Sequence, residues 1–90
     1  MSLLPRVTTR FKRDYKKAVK QGKDLAKLDS VMEYLVEEKT LPANLSDHAL
    51  SGDYKGYREC HVSPDWLLMY NIEKDEIWFV RTGSHSELFG

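Results

Sequence analysis

One stretch of the chain, residues 58–66, constrains the fold more than any other. Its first half holds strand-forming residues, its middle reads Ser-Pro-Asp, and an apolar run begins directly after it. Ser, Pro and Asp favour turns, and the runs on either side favour strands. The sequence therefore predicts a β-hairpin here. The hairpin would bring together His61, Asp65 and an exposed Trp66, which are the parts of an acid–base site beside a stacking platform.

The predicted hairpin belongs to a small sheet of three strands, at 57–62, 66–72 and 77–82. Short loops join consecutive strands, which makes them antiparallel neighbours. The middle strand is apolar at both of its alternating positions, so we expect it to be central and covered on both faces. Before the sheet, residues 43–56 form a long polar segment that carries His48, and a loop of this length in a small domain is usually functional.

Two amphipathic helices are predicted before this segment. The first begins after Thr8 or Thr9 and extends to about Gln21, where a glycine favours its end. The second covers roughly residues 25–38, with an aspartate at its start and an apolar stripe along one side. A weak strand signal precedes both helices at residues 5–8. The pattern predicts an α+β fold, with two N-terminal helices packed on a small antiparallel sheet.

Composition is typical of a single-domain protein. The 90 residues are enough for one core without a metal or a disulfide, so we expect one domain over residues 1–90. The lone cysteine, Cys60, cannot form an internal disulfide, as is typical of a reducing compartment. The first residues lack the apolar region of a signal peptide, and no apolar run is long enough to span a membrane. These features predict a cytoplasmic protein.

The net charge of zero hides a strong asymmetry. Residues 1–27 hold nine Lys and Arg against two Asp, a net charge of +7, and the rest of the chain carries −7. Many of these basic residues lie on the polar side of the first predicted helix. They form either a surface for nucleic-acid phosphates or an ordinary solvated helix face. The basic residues in question are Lys12, Arg13, Lys16, Lys17 and Lys20.

Few side chains of the chain can carry acid–base chemistry near neutral pH, and histidine is the type that gives and takes protons there. Cleavage of RNA by its own 2′-hydroxyl needs a base, an acid for the leaving 5′-oxygen and a cation for the phosphorane. Arginine fits the last of these roles. Each histidine could also be a plain surface residue. The relevant side chains are His48, His61 and His85, with Glu59, Asp65 and Arg81 as companions.

The sequence argues against a metal centre and against a catalytic cysteine. Cys60 and His61 are neighbours on a strand, so their side chains point to opposite faces and cannot easily bind one ion. No CxxC or HxxxH spacing is present. Cys60 alternates with core positions, so we interpret it as core and not as a nucleophile. We expect no cofactor.

Two aromatic side chains near the predicted site could stack on RNA bases. Trp66 fits either a stacking position or the core equally well. Phe89 is harder to place in a core, because it is the penultimate residue and chain ends are normally loose. Stacking of a base on an aromatic ring contributes about 1–3 kcal/mol.

Four segments of the chain resemble the YafQ branch of the RelE/ParE superfamily of bacterial toxins. The segments are Asp47–Gly52, Gly56–His61, Pro64–Tyr70 and Val80–Phe89. The resemblance implies a RelE-like microbial RNase fold and a type II toxin–antitoxin toxin. Such a toxin is expected to be an endoribonuclease that cleaves mRNA in the ribosomal A site without a metal. The expected products end in a 2′,3′-cyclic phosphate and a 5′-hydroxyl.

The resemblance also implies roles for individual residues. His85 would be the general acid, and Asp65 is the favoured base. Arg81 would stabilise the charge of the transition state. His48 and His61 would orient or neutralise the phosphate. Matching positions give the family's functional set as His48, His61, Asp65, Trp66, Arg81, His85 and Phe89, with the two aromatics holding the codon bases.

The partners implied by the resemblance are a RelB/DinJ-like antitoxin, the ribosome and mRNA. The antitoxin would cover or distort the site, and the pair would bind operator DNA through the antitoxin and repress its own operon. The basic face of the first helix would contact ribosomal RNA. The sequence leaves two alternatives open: a non-catalytic inhibitor on the same fold, like the gyrase-directed ParE branch, and a degenerate protein that binds RNA without cutting it. Pure binding has no need of the histidine and aspartate set.

Overall fold

Residues 2–90 are described by a computed structural model. A five-stranded sheet forms the centre of the molecule, two long helices pack on one face of it, and a short third helix ends the chain. Two single turns of 3₁₀ helix, Ala43–Leu45 and Gly52–Tyr54, lie in the segment before the third strand. The strands are β1 (Leu4–Val7), β2 (His48–Ala49), β3 (Arg58–Ser63), β4 (Trp66–Glu73) and β5 (Glu76–Gly83), and the helices are α1 (Thr9–Lys20), α2 (Leu25–Val36) and α3 (His85–Phe89).

The strand order in the sheet is β1-β5-β4-β3-β2. The last three strands of the chain pair antiparallel, as their short connections predict, and β2 also pairs antiparallel with β3. In contrast, β1 pairs parallel with β5 and makes the sheet mixed. The predicted α+β class is confirmed, and the parallel edge is the difference from the antiparallel sheet expected. The reason is the connection: both long helices lie between β1 and the other strands, so no tight turn fixes the direction of β1.

Both long helices begin and end close to the predicted residues. Thr8 caps α1, since its Oγ1 accepts a hydrogen bond of 3.0 Å from the backbone N–H of Phe11. Gly22 follows α1 with a φ of +71°, a left-handed conformation that glycine adopts at little cost. The second helix ends at Val36, slightly before the predicted end. Among the helices of residues 2–90, none is long and apolar enough to cross a bilayer.

One face of the sheet packs against α1 and α2 and forms the main core. The fully enclosed side chains there include Cys60, Leu68 and Phe79 from the sheet and Leu28 from α2. Burial raises the pKa of the Cys60 thiol to about 12, so the nucleophilic thiolate is not available near neutral pH. Cys60 is therefore a core residue, as predicted.

The opposite face of the sheet carries a second, smaller group of buried side chains. Leu67 and Met69 alternate with the main-core residues of β4 and are almost fully enclosed, and Leu88 of α3 is 6% exposed. None of the three belongs to the main core cluster. β4 is therefore covered on both faces, as the sequence predicts. In the register of the sheet, Leu67 lies opposite His61 and Met69 lies opposite Glu59, so the polar side chains of interest share this second face.

Two regions are more regular than the sequence indicates. The 43–56 segment contains β2, which pairs His48 with Glu59 on the edge of β3. The chain end forms α3, which begins with a capping box. The Oγ of Ser84 accepts from the N–H of Glu87, and the carboxylate of Glu87 accepts from the N–H of Ser84. The Ser-x-x-Glu pattern is visible in the sequence, but chain ends are normally loose, so no third helix is predicted from the sequence.

Candidate active site

Three elements bring the three histidines into one row, which we call the histidine row. His48 lies on β2, His61 lies on β3, and His85 is the first residue of α3. The ring centroids of His48 and His61 are 6.4 Å apart, and those of His61 and His85 are 5.6 Å apart. The structure thus brings together all three histidines that the sequence singled out. One comes from the 43–56 segment, one from a strand and one from the chain end.

His85 is held by Asp65, which lies in the turn between β3 and β4. Oδ1 of Asp65 is 2.8 Å from Nδ1 of His85 and accepts a second hydrogen bond of 3.1 Å from the backbone N–H of His85. These bonds from His85 lower the pKa of Asp65. A carboxylate at Nδ1 favours the tautomer with its proton on Nδ1, which leaves Nε2 for a substrate. Both side chains are more than half exposed.

His48 and Glu59 form a second imidazole–carboxylate pair at the other end of the row. Nδ1 of His48 donates to the carbonyl oxygen of Ser46 at 2.7 Å. Nε2 of His48 lies 3.5 Å from Oε1 of Glu59. This contact places a second carboxylate against the histidine row.

Glu59 has the most unusual environment in the site. It is 4% exposed. Within residues 2–90, its Oε2 and the Nδ1 of His61 are buried atoms without a hydrogen-bond partner. Such atoms are rare in folded proteins and need an explanation, for which function is a common one. Ligand atoms of Glu59, His61 and His85 lie within 4.8 Å of one another, so this group could also hold a metal ion. Sequence spacing missed the grouping, because its members come from β3 and α3.

Arg81 is tied to the scaffold and does not stand free. Its Nε and one terminal nitrogen donate to the two carboxylate oxygens of Asp14 on α1, at 2.8 and 3.1 Å. The same carboxylate accepts from the backbone N–H of Thr82 at 3.2 Å. The hydrogen bonds to Asp14 raise the pKa of Arg81. Sequence reasoning missed Asp14, although it is the only acidic residue of α1 and that isolation is a signal for a specific partner.

Trp66 lies in the core, and the expectation of an exposed Trp66 is wrong. The residue is 4% exposed, and its indole N–H donates to the hydroxyl of Thr82 at 2.9 Å. That hydroxyl donates in turn to the carbonyl oxygen of Leu67 at 2.7 Å. A buried indole needs a polar partner, and Thr82 supplies it inside the core. Phe89, by contrast, is 42% exposed.

The basic side chains of α1 are exposed, but one of them has a structural partner. Nζ of Lys17 lies 2.6 Å from Oε2 of Glu87 on α3. This contact and the N–H of Ser84 lower the pKa of Glu87 to about 2. Lys17 therefore holds α3, and with it His85, against α1. The other predicted nucleic-acid contacts of this helix, which are Lys12, Arg13, Lys16 and Lys20, are exposed.

The sequence and the fold agree with a known family. Residues 4–90 match the family described as the bacterial toxin of type II toxin-antitoxin system, YafQ. The chain belongs to the YafQ family of bacterial toxins. The resemblance predicted from four sequence segments is thereby confirmed, and the match covers almost the whole chain.

Relatives of the YafQ family agree in sequence and in structure. The mRNA interferase toxin YafQ of Escherichia coli strain K12 is 44% identical over 81 residues, which are 89% of this chain and 88% of that protein. The crystal structure of YafQ from E. coli strain BL21(DE3) has a TM-score of 0.92 at 40% identity, and the match covers 96% of this chain and 97% of that chain. A chain in the crystal structure of the E. coli DinJ-YafQ toxin-antitoxin complex also has a TM-score of 0.92 at 40% identity, with 100% of both chains covered.

Proposed function

We propose that this chain is the toxin of a type II toxin–antitoxin pair and acts as a ribosome-dependent endoribonuclease. In this mechanism the 2′-hydroxyl of an mRNA nucleotide in the ribosomal A site attacks the adjacent phosphate. The products end in a 2′,3′-cyclic phosphate and a 5′-hydroxyl. The observation that carries the proposal is the histidine row with two carboxylates against it, Asp65 beside His85 and Glu59 beside His48, because that arrangement offers both the acid and the base that the reaction needs.

His85 suits the role of the general acid. Asp65 fixes its ring by hydrogen bonds to the ring and to the backbone, so that Nε2 remains for the substrate. The proton passes from Nε2 of His85 to the leaving 5′-oxygen. Asp65 itself is bonded to the acid, and its lowered pKa makes it a weak proton acceptor. We therefore assign Asp65 to orienting His85, in place of the role of base that the resemblance favours.

The base lies toward the other end of the row in this proposal. The attacking and leaving oxygens of a phosphoryl transfer lie roughly in line, so the acid and the base act on opposite sides of the phosphorus. Asp65 and His85 are 2.8 Å apart and act on one side. We assign the proton acceptor to His61, with the carboxylate of Glu59 beside it to offset the positive charge that the ring gains. The proposed mechanism uses no metal ion.

RNA binding is assigned to the exposed residues around the row. Phe89 is open for stacking on a codon base, whereas Trp66 supports the site from within the core. Arg81 contributes a positioned donor to the phosphate and less free charge than the sequence suggests, because Asp14 already neutralises it. The remaining exposed basic residues of α1 would contact ribosomal RNA, whose phosphates favour a local basic patch whatever the net charge of the protein.

We propose a DinJ-like antitoxin as the protein partner. The support is the similarity to the YafQ chain of the E. coli DinJ-YafQ complex over the full length of both chains. The antitoxin would cover or distort the histidine row, and the pair would bind operator DNA through the antitoxin. These partners imply a cytoplasmic protein. Gyrase inhibition and RNA binding without cutting have less support, because neither needs two imidazole–carboxylate pairs in one site.

The test is growth arrest on induction, with primer extension on a reporter mRNA, for wild type beside His85→Ala. Loss of a positioned acid should lower cleavage about 10²–10⁴-fold and remove the codon-phased cuts. The fold should persist, because the side chain of His85 is 54% exposed. The control is Ser86→Ala, an exposed neighbour in the same helix, which should cut like wild type. Arrest without cuts that persists in His85→Ala would contradict the proposal, and a supercoiling assay would then test for gyrase inhibition.

A further inference from the structure

An open depression lies beside the histidine row, between the start of α1, the segment before β3 and the end of β5. Two arginines and two tyrosines line it, and none of these except Arg81 belongs to the site predicted above. Met69, which is 2% exposed, forms its floor. The side chains that matter here are Arg10, Tyr54, Tyr57, Met69, Arg81 and Leu88.

Two observations place the depression next to the histidine row, where the proposed cleavage occurs. Met69 lies opposite Glu59 in the pairing of β3 and β4, so the floor of the depression and the histidine row occupy neighbouring positions on one face of the sheet. Phe89 follows His85 in α3 by about one helical turn. The ring of Phe89 meets Tyr54 edge to face, with centroids 5.2 Å apart and an angle of 89°. A nucleotide in the depression would therefore be next to the phosphate at the row.

Two aromatic rings are available for stacking, Tyr54 in the lining of the depression and Phe89 in contact with it. Tyr54 is 36% exposed and Phe89 is 42% exposed. Their edge-to-face contact fixes the two rings relative to each other and leaves ring surface open to a flat base. Gly52 and Gly56 flank Tyr54 with φ angles of +65° and +98°, which other residues rarely adopt. The loop shape that presents Tyr54 is therefore specified by the sequence.

The arginines supply a complementary site for phosphate. Arg10 is exposed at the first turn of α1. Arg81 donates from its Nε and one terminal nitrogen to Asp14, and its other terminal nitrogen donates no hydrogen bond within residues 2–90. Asp14 fixes the guanidinium plane, so the remaining donor is held in place before a ligand arrives. The one acidic residue that lines the depression is Asp53, against the two arginines.

We propose that this depression is a nucleotide subsite, in which Tyr54 and Phe89 hold one base of the A-site codon and Arg10 with Arg81 holds its phosphate. Aromatic rings beside cations are the chemistry of sites for single-stranded nucleic acid. Tyr54 and Arg10 then become specificity-determining residues for the ribonuclease, and the inference rests on that proposed function.

Binding without cleavage tests the subsite separately from the reaction. The probe is a ribosome programmed with an mRNA whose A-site codon carries 2′-deoxynucleotides, which cannot attack, and one 2-aminopurine, whose fluorescence falls on stacking. Wild type should quench the probe. Tyr54→Ala should weaken binding about 5- to 100-fold, the effect of losing one base stack, and lose the quench, whereas Tyr54→Phe should keep both. The control, Tyr34→Ala, removes a tyrosine of α2 that is 42% exposed and should bind like wild type.

Equal affinity and equal quenching for Tyr54→Ala and wild type would overturn the inference. Failure of wild type to cut an unmodified mRNA would overturn the ribonuclease proposal instead, and loss of the quench in Tyr54→Ala would then still support the subsite. The antitoxin is the competing occupant. If Tyr54→Ala weakens antitoxin binding and leaves RNA binding unchanged, the depression is a protein-docking surface and the inference fails. Matching thermal unfolding of the variants shows that each difference is local.

Discussion

The two faces of the sheet are built from the same strands and differ in kind. On the helix face, Cys60, Leu68 and Phe79 are 0% exposed and belong to a continuous apolar cluster. On the other face, Glu59 and His61 alternate with Cys60 along β3, and each has a buried polar atom without a partner among residues 2–90. Because side chains of a strand alternate between faces, one strand supplies both environments.

Residues that stabilise the fold and residues of the candidate site therefore alternate along the same strand, one position apart. Apolar burial stabilises the fold by about 25 cal/mol per Å². A buried polar atom without a partner costs about 1–3 kcal/mol. Proteins retain such costs where function requires them. Substitutions on the helix face should therefore change the free energy of unfolding, and substitutions on the face of the histidine row should change activity.

The largest effect on stability is expected from Phe79→Ala. Phe79 is fully enclosed, and its ring centroid lies 6.0 Å from that of Phe11 on α1. Loss of the ring should lower the free energy of unfolding by about 3–5 kcal/mol, as measured by urea denaturation. The control is Ile72→Ala at the exposed end of β4, where 49% of the residue is accessible and the change should stay within about 0.5 kcal/mol. Lower cleavage per folded molecule of Phe79→Ala would show that the two faces are not separable.

The helix face was also the more predictable of the two. The apolar stripes of α1 and α2 and the alternation in β3 and β4 are periodic, and periodicity identifies core positions directly. Strand β1 has no such signal, since all four of its residues are exposed, and its parallel pairing depends on β5, far along the chain. Trp66 was ambiguous for a related reason. Its burial follows from a hydroxyl partner, Thr82, that lies 16 residues away.

A smaller loss of stability is expected from Glu87→Ala, because Glu87 links α3 to α1. The variant loses the capping box and the contact with Lys17, and we expect a loss of about 1 kcal/mol at neutral pH. The pKa of Glu87 in the folded protein is about 2, below its ordinary value of 4.5. The stabilisation is therefore complete above pH 4.5 and disappears as the pH falls toward 2. Thermal unfolding of both proteins as a function of pH measures the difference.

The control for this experiment is Glu76→Ala, which breaks a pair with Arg6 at 3.0 Å and a hydrogen bond of 3.3 Å from the indole of Trp78. A surface pair of this kind contributes at most about 1 kcal/mol, and this one has no capping role. We expect cleavage by Glu76→Ala to equal that of wild type, and cleavage by Glu87→Ala to fall, because α3 carries His85. A stability difference for Glu87→Ala that stays constant down to pH 2 would assign the effect to packing of the side chain and not to its charge.

The sequence predicts which residues lie on the face of the histidine row, but it does not predict which residues contact each other there. Histidines are few, so the sequence could name all three. Two of the contacts that fix the site join residues far apart in the chain, Lys17 with Glu87 and Asp14 with Arg81, the latter pair being separated by 67 residues. No local pattern encodes a contact of that range. The role proposed for Asp65 differs from the one that the resemblance implies for the same reason, since its bond to His85 exists only in the folded chain.

Glu59→Gln tests the difference between the two faces most directly. We expect it to have the smallest effect on stability and a large effect on cleavage. The amide has nearly the size of the carboxylate, and the buried Oε2 has no partner among residues 2–90 to lose. The free energy of unfolding should therefore change by less than about 1 kcal/mol. Activity should respond strongly, because the charge beside His48 and His61 disappears. A charge-assisted interaction of about 1.5–3 kcal/mol corresponds to a decrease of about 10- to 100-fold in single-turnover cleavage. If Glu59→Gln instead loses stability and keeps its activity, Glu59 is a scaffold residue, and the two faces differ only in how much apolar surface they bury.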